Sequence, residues 1–213
     1  MTRTTYHHGA LRDALLAACL RLIETEGIGA VSLRRVAREA GVSSGAPYHH
    51  FADRAALLAD LATQGFRLLT DQLTTARAAA SSPTAALVAL EQSYVRFARE
   101  QPGYFRLMFR PELSQPEKHP NTRIAGEAAF GVLADAVADC VAAGELSPER
   151  AEPTTVTLWA LGHGLASLWL DGQLDKRGTI FGTTATELVD SVLDGIGGLL
   201  RADSGAPGRP GPG

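Results

Sequence analysis

The chain has few cysteines and no long apolar run. Its 213 residues include two cysteines, Cys19 and Cys140, which lie in separate helical patterns and not in a paired motif. We therefore expect no disulfide, a reducing compartment, and a role for each as a small buried hydrophobe. The start, MTRTTYHHGALR, holds no apolar signal core, and no apolar run approaches the ~18 residues that cross a bilayer. These absences predict a cytoplasmic protein with no membrane partner.

Alternation of polar and apolar residues, the pattern of a half-buried strand, is also missing. Apolar residues instead recur at intervals of three and four, which predicts an all-α fold. The first predicted helix carries an apolar stripe of Leu11, Leu15, Cys19, Leu22 and Ile23 and ends at Gly27. Later helices are expected near 32–40, 45–51, 55–79, 83–100, 104–109, 122–143, 150–170 and 183–201. Residues 110–121 hold three prolines and are expected to form a loop, and residues 202–213 are too rich in Gly and Pro to pack.

The usual signatures of catalysis and metal binding are absent from the sequence. No nucleophile lies beside a base, no Glu-x-x-His repeat offers di-iron ligands, and no glycine-rich phosphate loop occurs. The pairs His7-His8 and His49-His50 lack a Cys or carboxylate set beside them, and adjacent histidines point in different directions on a helix. We expect no enzyme, metal site or cofactor, with a helical-bundle enzyme as a remote alternative.

The segment SLRRVAREAGVSSGAPYHHFADR, residues 32–54, has the pattern of a helix-turn-helix. Apolar Leu33, Val36, Ala37 and Ala40 give the first helix one buried face and leave its arginines outside. Gly41 supplies the left-handed conformation that the turn needs. Ser43 and Ser44 are suited to cap the second helix, and Asp53 the long helix that follows. The same pattern can arise from packing alone, but its extent favours DNA binding.

The second helix of such a motif enters the major groove end-on, so its first residues should be small and its flanks should bind phosphate. Ser43, Ser44, Gly45 and Ala46 are small, whereas the flanks carry donors, and Ser32 opens a helix whose free N–H groups suit a phosphate. The predicted DNA-binding residues are Ser32, Arg34, Ser43, Ser44, Gly45, Ala46, Tyr48, His49, His50 and Arg54.

The distribution of charge also places the DNA-binding part at the N-terminal end. The formal net charge is -3, but residues 1–54 carry +2 and the remainder carries -5. The mild asymmetry predicts a moderate dependence of DNA binding on salt.

The sequence YHHGALRDALLAACLRLIETEG, followed by GVSSGAPYHHFADRAALL, resembles the TetR/AcrR family of transcriptional regulators over residues 6–66. The resemblance implies that Tyr48 binds a phosphate and that Ser43 to Ala46 face the bases. Two departures occur: Pro47 removes an N–H early in a very short helix, and Arg54 stands where a lysine is more usual. The implied organisation is a three-helix DNA-binding domain at 1–54, a larger helical effector and dimerisation domain at 55–201, and a disordered tail at 202–213.

The segment TLWALGHGLASLWL, residues 157–170, is apolar nearly all round, so its helix is expected to be buried on two sides. Gly162 and Gly164 suggest a close neighbour, which we interpret as a second subunit. With the last helix, whose stripe holds Val189, Val192, Leu193, Ile196 and Leu200, it would form an intersubunit four-helix bundle, as in the resembled family. A homodimer would pair two recognition helices on a palindromic operator.

Trp159 with His163-Gly164, and PGYFRLMF at 102–109, resemble a C-terminal domain named for its Trp and His-Gly residues, in which the effector varies or is unknown. The predicted ligand-binding residues are Phe97, Tyr104, Phe105, Met108, Phe109, Phe130, Trp159 and His163. Aromatics and Met at helical spacing also form ordinary cores, so that alternative stays open. A mainly apolar small molecule would release the DNA, and a constitutive DNA-binding protein without an effector is the alternative function.

Overall fold

The computed structural model describes residues 6–113 and 117–203, and within these ranges all regular structure is helical. The α-helices are α1 (Tyr6–Glu26), α2 (Leu33–Glu39), α3 (Arg54–Ala78), α4 (Pro83–Glu100), α5 (Pro102–Met108), α6 (Pro120–Ala142), α7 (Ala151–Leu170), α8 (Gln173–Phe181) and α9 (Ala185–Asp203). Single 3₁₀ turns lie at Ile28–Ala30, Ala46–His49, Pro111–Leu113 and Pro148–Arg150. The all-α prediction is confirmed.

Helix α8 has no counterpart among the predicted helices. It is bounded by Gly172 and Gly182, both in the left-handed conformation with φ of 65° and 69°. At its centre, a Cβ on Gly178 would lie 2.5 Å from the carbonyl oxygen of Thr183, so the chain returns tightly against this glycine. Only Leu174 and Gly178 of α8 are buried. The apolar pattern in its sequence was therefore too short to predict the helix.

The segments expected to lack regular structure are partly ordered. Pro111–Leu113 forms a 3₁₀ turn inside the predicted loop, and α6 begins at Pro120, where proline suits the first turn of a helix. Helix α9 continues to Asp203, two residues beyond the predicted end. The rest of the predicted disordered tail, 204–213, lies outside the described residues.

The chain forms two compact units. The first comprises Met1–Leu68 and Gln101–Glu127, and the second comprises Leu69–Glu100 and Ala128–Gly213. Helices α3 and α6 therefore each contribute residues to both units. The functional division at residue 54 stays a prediction.

The core of the first unit is built on the stripe of α1. Leu15, Cys19, Leu22 and Ile23 are buried there, and they pack with side chains from α2 and α3 such as Val36, Leu57 and Leu61. Burial raises the pKa of the Cys19 thiol to about 12. Cys140 is buried too, with its thiol pKa raised by burial to about 11, and both cysteines are free. Their predicted role as buried apolar residues is confirmed.

In the second unit α4 packs against both α7 and α9. Val95, Leu165, Val189 and Leu193 are buried in the cluster that these helices share. Two further members of the predicted stripe of α9, Ile196 and Leu200, have side chains outside the described set.

Helix α7 is buried on one side within its own chain and exposed on the other. Leu158 and Leu165 are buried, whereas Val156, Trp159 and Leu168 are 49%, 44% and 45% exposed. The interpretation of Gly162 was wrong in one respect, because a Cβ there would overlap the Glu91 carboxylate of the same chain. At Gly164 a Cβ would meet open space. In the part of the chain that the structure describes, no helix is both long and apolar enough to span a membrane.

Candidate functional site

The candidate DNA-binding surface begins with α2. Ser32 is its N-cap, with φ -145° and ψ 154°, and its Oγ accepts a hydrogen bond from the backbone N–H of Arg35 at 3.2 Å. Leu33, Val36 and Ala37 are buried beneath the helix, so Arg34 lies on the exposed face. The helix therefore begins after the residue that the sequence predicted and buries the predicted face, and Ser32 is in addition its N-cap.

The turn after α2 is fixed by backbone hydrogen bonds. Gly41 has φ 70°, and its N–H donates to the carbonyl of Arg38 at 3.1 Å. The N–H of Val42 donates to the carbonyl of Ala37 at 2.9 Å, and the Val42 side chain packs against the core of the first unit. These bonds satisfy the last carbonyls of α2 and direct the chain into the recognition segment.

The recognition segment, which we define as residues 43–50, is shorter and tighter than predicted. Its regular part is a single 3₁₀ turn, Ala46–His49, instead of a helix over residues 45–51. The predicted capping by Ser43 and Ser44 was wrong, because Gly45 occupies the N-cap position without a side-chain cap. The backbone carbonyl of Ser43 instead accepts from the N–H of Ala46 at 3.0 Å, as the i to i+3 geometry of a 3₁₀ turn requires.

Two buried residues anchor this segment and leave the rest outside. Pro47 is buried and Phe51, four residues later, is only 2% exposed. The Tyr48 side chain is 56% exposed. Ser43, Ser44, Gly45 and His49 are also exposed, and Ala46 and His50 are half-buried. The structure thus exposes Ser43, Ser44, Gly45, Tyr48 and His49 within one short segment, although their contacts with DNA stay a prediction.

Arg54 follows a different pattern. Its Nε donates to the carbonyl of Val31 at 2.9 Å and its Nη2 donates to the carbonyl of Ile28 at 2.7 Å. The preceding Asp53 caps α3, because its Oδ1 accepts from the N–H of Ala56 at 2.8 Å. Arg54 is half-buried and ties the start of α3 to the turn that precedes α2. The sequence pattern did not reveal this internal role.

The predicted ligand-binding residues fall into two sets, one in each unit. In the first unit, Phe105 and Met108 are buried, and Phe109 contacts Phe66 edge-on with ring centroids 5.5 Å apart. Tyr104 donates to Oε1 of Gln64 at 3.4 Å. These contacts describe a packed cluster around α5.

The set in the second unit is more open. Phe97 is buried, but Phe130 and Trp159 are 40% and 44% exposed and meet edge-on with ring centroids 5.9 Å apart. His163 lies one helical turn beyond Trp159, and its Nδ1 is 3.1 Å from the Tyr94 hydroxyl. Burial lowers the pKa of His163, which favours its neutral form.

Beside this set lies Glu91, which the sequence analysis did not single out. The side chain is 4% exposed, and its Oε2 has no hydrogen-bond partner among the described residues. Burial raises the pKa of Glu91 to about 8 and also raises that of Tyr94, with the Glu91 charge adding to the Tyr94 shift. The available signal was an acid within the apolar face of α4, between Leu87 and Ala98. Among residues 6–113 and 117–203, no group of three or more His, Cys, Asp and Glu is placed to hold a metal ion.

Two family descriptions match the chain. Residues 15–61 match "Bacterial regulatory proteins, tetR family", and residues 87–196 match "Tetracyclin repressor-like, C-terminal domain". A curated relative, the uncharacterized HTH-type transcriptional regulator YobS of Bacillus subtilis, is 29% identical over 97 residues. That match covers 46% of this chain and 50% of YobS, so the chain aligns with half the length of this relative.

Solved structures share the fold along nearly the whole chain. A protein with unknown function from Rhodococcus sp. RHA1 is 35% identical, with a TM-score of 0.75 over 92% of this chain and 97% of that one. The regulator FadR from Bacillus subtilis, solved in complex with stearoyl-CoA, is 12% identical, with a TM-score of 0.69 over 85% of this chain and 95% of that one. The second likeness concerns the fold alone.

Proposed function

Because this chain belongs to the tetR family of bacterial regulatory proteins, we propose that it is a ligand-responsive repressor that binds a palindromic operator as a homodimer. Its class is a transcriptional regulator with an N-terminal helix-turn-helix DNA-binding domain. The observation that carries the proposal is the exposed recognition segment, held in place by buried Pro47 and Phe51.

The recognition segment suits close contact with DNA. Ser43 and Ser44 offer hydroxyls, Ala46 offers a methyl group for contact with thymine, and Gly45 permits close approach. Tyr48 is exposed enough for its hydroxyl to donate to a phosphate. With so few hydrogen-bonding side chains, readout leans on DNA shape as well as on base edges. Replacing Ser44 by Arg adds a long bidentate donor, so the sequence preference should change.

The exposed face of α7 supports a homodimer. Val156, Ala160, Gly164 and Leu168 follow one another at intervals of four, which places them along one side of the helix. Val156 and Leu168 are about half exposed, and a Cβ at Gly164 would meet open space, so a second helix could approach closely there. Val192 of α9 adds a further 39% exposed apolar side chain. A dimer across this face would place two recognition segments on the half-sites of a palindrome.

An effector would act by shifting a population. A ligand that prefers one arrangement of the effector-domain helices would favour dimers whose recognition segments no longer match successive major-groove faces, and repression would end. The open aromatic pair Phe130 and Trp159 supports an apolar ligand. The stearoyl-CoA complex of the FadR neighbour shows that this fold can hold a ligand with a long apolar chain.

The test is selection of bound fragments from a pool of genomic DNA that includes the region upstream of the protein's own gene. The selected fragment is then titrated with protein by fluorescence anisotropy at several salt concentrations. The mass of the protein–DNA complex is measured to establish how many subunits bind. A palindromic site bound by a dimer supports the proposal. Equally weak binding to every DNA sequence contradicts it. If the protein binds a specific site and no ligand in a broad library releases it from that site, a constitutive DNA-binding protein is favoured.

A further inference from the structure

Glu91 is a buried acid that forms no ion pair with a described residue. Its side chain is 4% exposed on α4, and Oε2 has no hydrogen-bond partner among the described residues. The carboxylate lies against the backbone of α7 at Gly162, where any larger residue would overlap it. Gly162 therefore makes room for the acid, although a glycine within a helix costs about 1 kcal/mol relative to alanine.

An acid in this position carries a cost for folding. Desolvation disfavours a buried carboxylate unless a cation or several donors compensate, and replacement by an apolar side chain would remove the cost. The adjacent Tyr94 hydroxyl is instead 3.1 Å from Nδ1 of His163. Buried polar groups in native proteins are nearly always hydrogen-bonded, so the Glu91 oxygen calls for an explanation, and a bound ligand is one.

An exposed aromatic pair lies one helical turn from Gly162. Trp159, Gly162, His163 and Ala166 share one side of α7, because three- and four-residue steps keep side chains on one face. Trp159 is 44% exposed and meets Phe130 of α6, which is 40% exposed. The second unit thus combines a buried acid with an accessible apolar surface a helical turn away.

We propose that Glu91 is the anionic anchor of an effector site, and that the effector is a mainly apolar molecule carrying one ammonium or amidinium group. The cation pairs with the Glu91 carboxylate, and the apolar part lies against Trp159 and Phe130, whose ring faces attract cationic and apolar groups. Tyr94 and His163, whose hydroxyl and Nδ1 are 3.1 Å apart, lie beside Gly162. This inference rests on the proposed function and names the chemical class of its ligand.

The proton balance of binding follows from the acid. Without ligand the Glu91 carboxyl, with its pKa raised to about 8 by burial, is mostly protonated at pH 7. A cation binds to the carboxylate, so one proton leaves for solvent as the ligand enters. Tyr94 on α4 and His163 next to Gly162 on α7 are neutral at pH 7, because burial raises the pKa of the first and lowers that of the second. Of the acids of α9, Glu187, Asp190 and Asp194 are exposed to solvent.

The experiment compares three probes of one shape and different charge on the full-length protein. They are 4-phenylbutylammonium, 4-phenylbutan-1-ol and 4-phenylbutyrate, titrated by calorimetry in two buffers of different ionisation enthalpy. We expect the ammonium probe to bind at least about tenfold more tightly than the alcohol, as a charge-assisted hydrogen bond implies, and the butyrate to bind most weakly. Between pH 6 and pH 8 the affinity of the ammonium probe should rise by up to about tenfold per pH unit, with one proton released at the lower pH.

Glu91→Gln should bring the ammonium and alcohol probes to equal affinity and abolish proton release. Glu100→Gln is the matched control, because it makes the same change at an exposed position of the same helix. Circular dichroism establishes that both variants are folded, and the comparison of probes on the wild-type protein does not depend on either variant.

The inference is overturned by equal binding of the three probes, or by a preference for the ammonium probe that survives in folded Glu91→Gln. It is also overturned if the ammonium probe does not bind at 10 mM, which is about a hundredfold weaker than the ~0.1 mM expected of a fragment with one good anchor. Selection of an operator uses none of these probes. If the protein binds a palindromic operator but does not prefer the ammonium probe, this inference is rejected and the proposed function still stands.

Discussion

The guanidinium of Arg54 donates from Nε to the backbone carbonyl of Val31 at 2.9 Å, across 23 residues of chain. A second bond from Nη2 reaches the carbonyl of Ile28 at 2.7 Å. Both acceptors belong to the turn between α1 and α2, so one side chain fixes the start of α3 relative to the helix-turn-helix. A lysine at this position could not span both carbonyls in one fixed geometry.

We predict that Arg54→Ala lowers the free energy of unfolding by about 2–3 kcal/mol, since two hydrogen bonds from a charged donor are lost. Arg54→Lys should recover part of this loss. Urea denaturation checks both, with exposed Arg34→Ala as the control that leaves stability unchanged. Arg54→Ala could instead leave stability unchanged and make operator binding depend less steeply on salt. That result would show that Arg54 contacts a phosphate and does not stabilise the fold through the backbone carbonyls.

Tyr48→Phe should weaken operator binding without affecting stability, because the side chain is 56% exposed and only its hydroxyl is lost. A hydrogen bond from the hydroxyl to a charged phosphate contributes about 1.5–3 kcal/mol, or about ten- to a hundredfold in affinity for each half-site. Tyr48→Ala should weaken binding further, and alike for all sequences. Anisotropy titration against the selected operator and a scrambled duplex measures the effect. Full affinity in Tyr48→Ala would mean that the recognition segment is misplaced.

Glu91 should make stability fall as pH rises from 5 to 8. The folded state holds its proton up to a pKa of about 8, whereas the unfolded chain releases it near the ordinary value of 4.5. Folding is therefore favoured below the unfolded pKa, and this advantage is lost by up to about 1.4 kcal/mol per pH unit as pH rises through the window.

In Glu91→Gln this contribution to the pH dependence should vanish, and the exposed Glu100→Gln should retain it. Urea denaturation at a series of pH values measures the slopes. Identical slopes for the wild type and Glu91→Gln would show that Glu91 titrates normally in the folded protein.

Ala160→Glu tests the proposed dimer face of α7. Ala160 is exposed in the single chain, so glutamate should leave the fold intact, but a charge buried between two subunits costs several kcal/mol. We expect a folded monomer by analytical ultracentrifugation and weak operator binding. Ala138→Glu, at an exposed position of α6, is the matched control and should remain dimeric. A dimeric Ala160→Glu variant would move the interface elsewhere.

Periodicity predicted most of the helices because each one buries a continuous apolar stripe. The stripe of α1 was correct at Leu15, Cys19, Leu22 and Ile23, and Asp53 holds the capping bond expected of it. Local rules succeeded there because capping involves residues only three apart in sequence.

The same rules failed where a local pattern was short or ambiguous. Helix α8 buries only Leu174 and Gly178, which is too little for a periodic signal, and the serines before the recognition segment do not cap it because the turn is 3₁₀. The two glycines of α7 suggested that another part of the protein packs closely at Gly162. The spacing of residues along the chain could not identify this neighbour as Glu91.

The sequence by itself determined the all-α class, the helix-turn-helix pattern and the family, because these depend on residue type and on short spacings along one chain. Only the tertiary structure decided that Arg54 binds two backbone carbonyls, and that Glu91 is buried against Gly162 with an oxygen that has no hydrogen-bond partner in the part of the chain that the structure describes. The physical reason is that hydrogen bonding and desolvation depend on what lies around a side chain, and those neighbours come from helices that are distant in sequence.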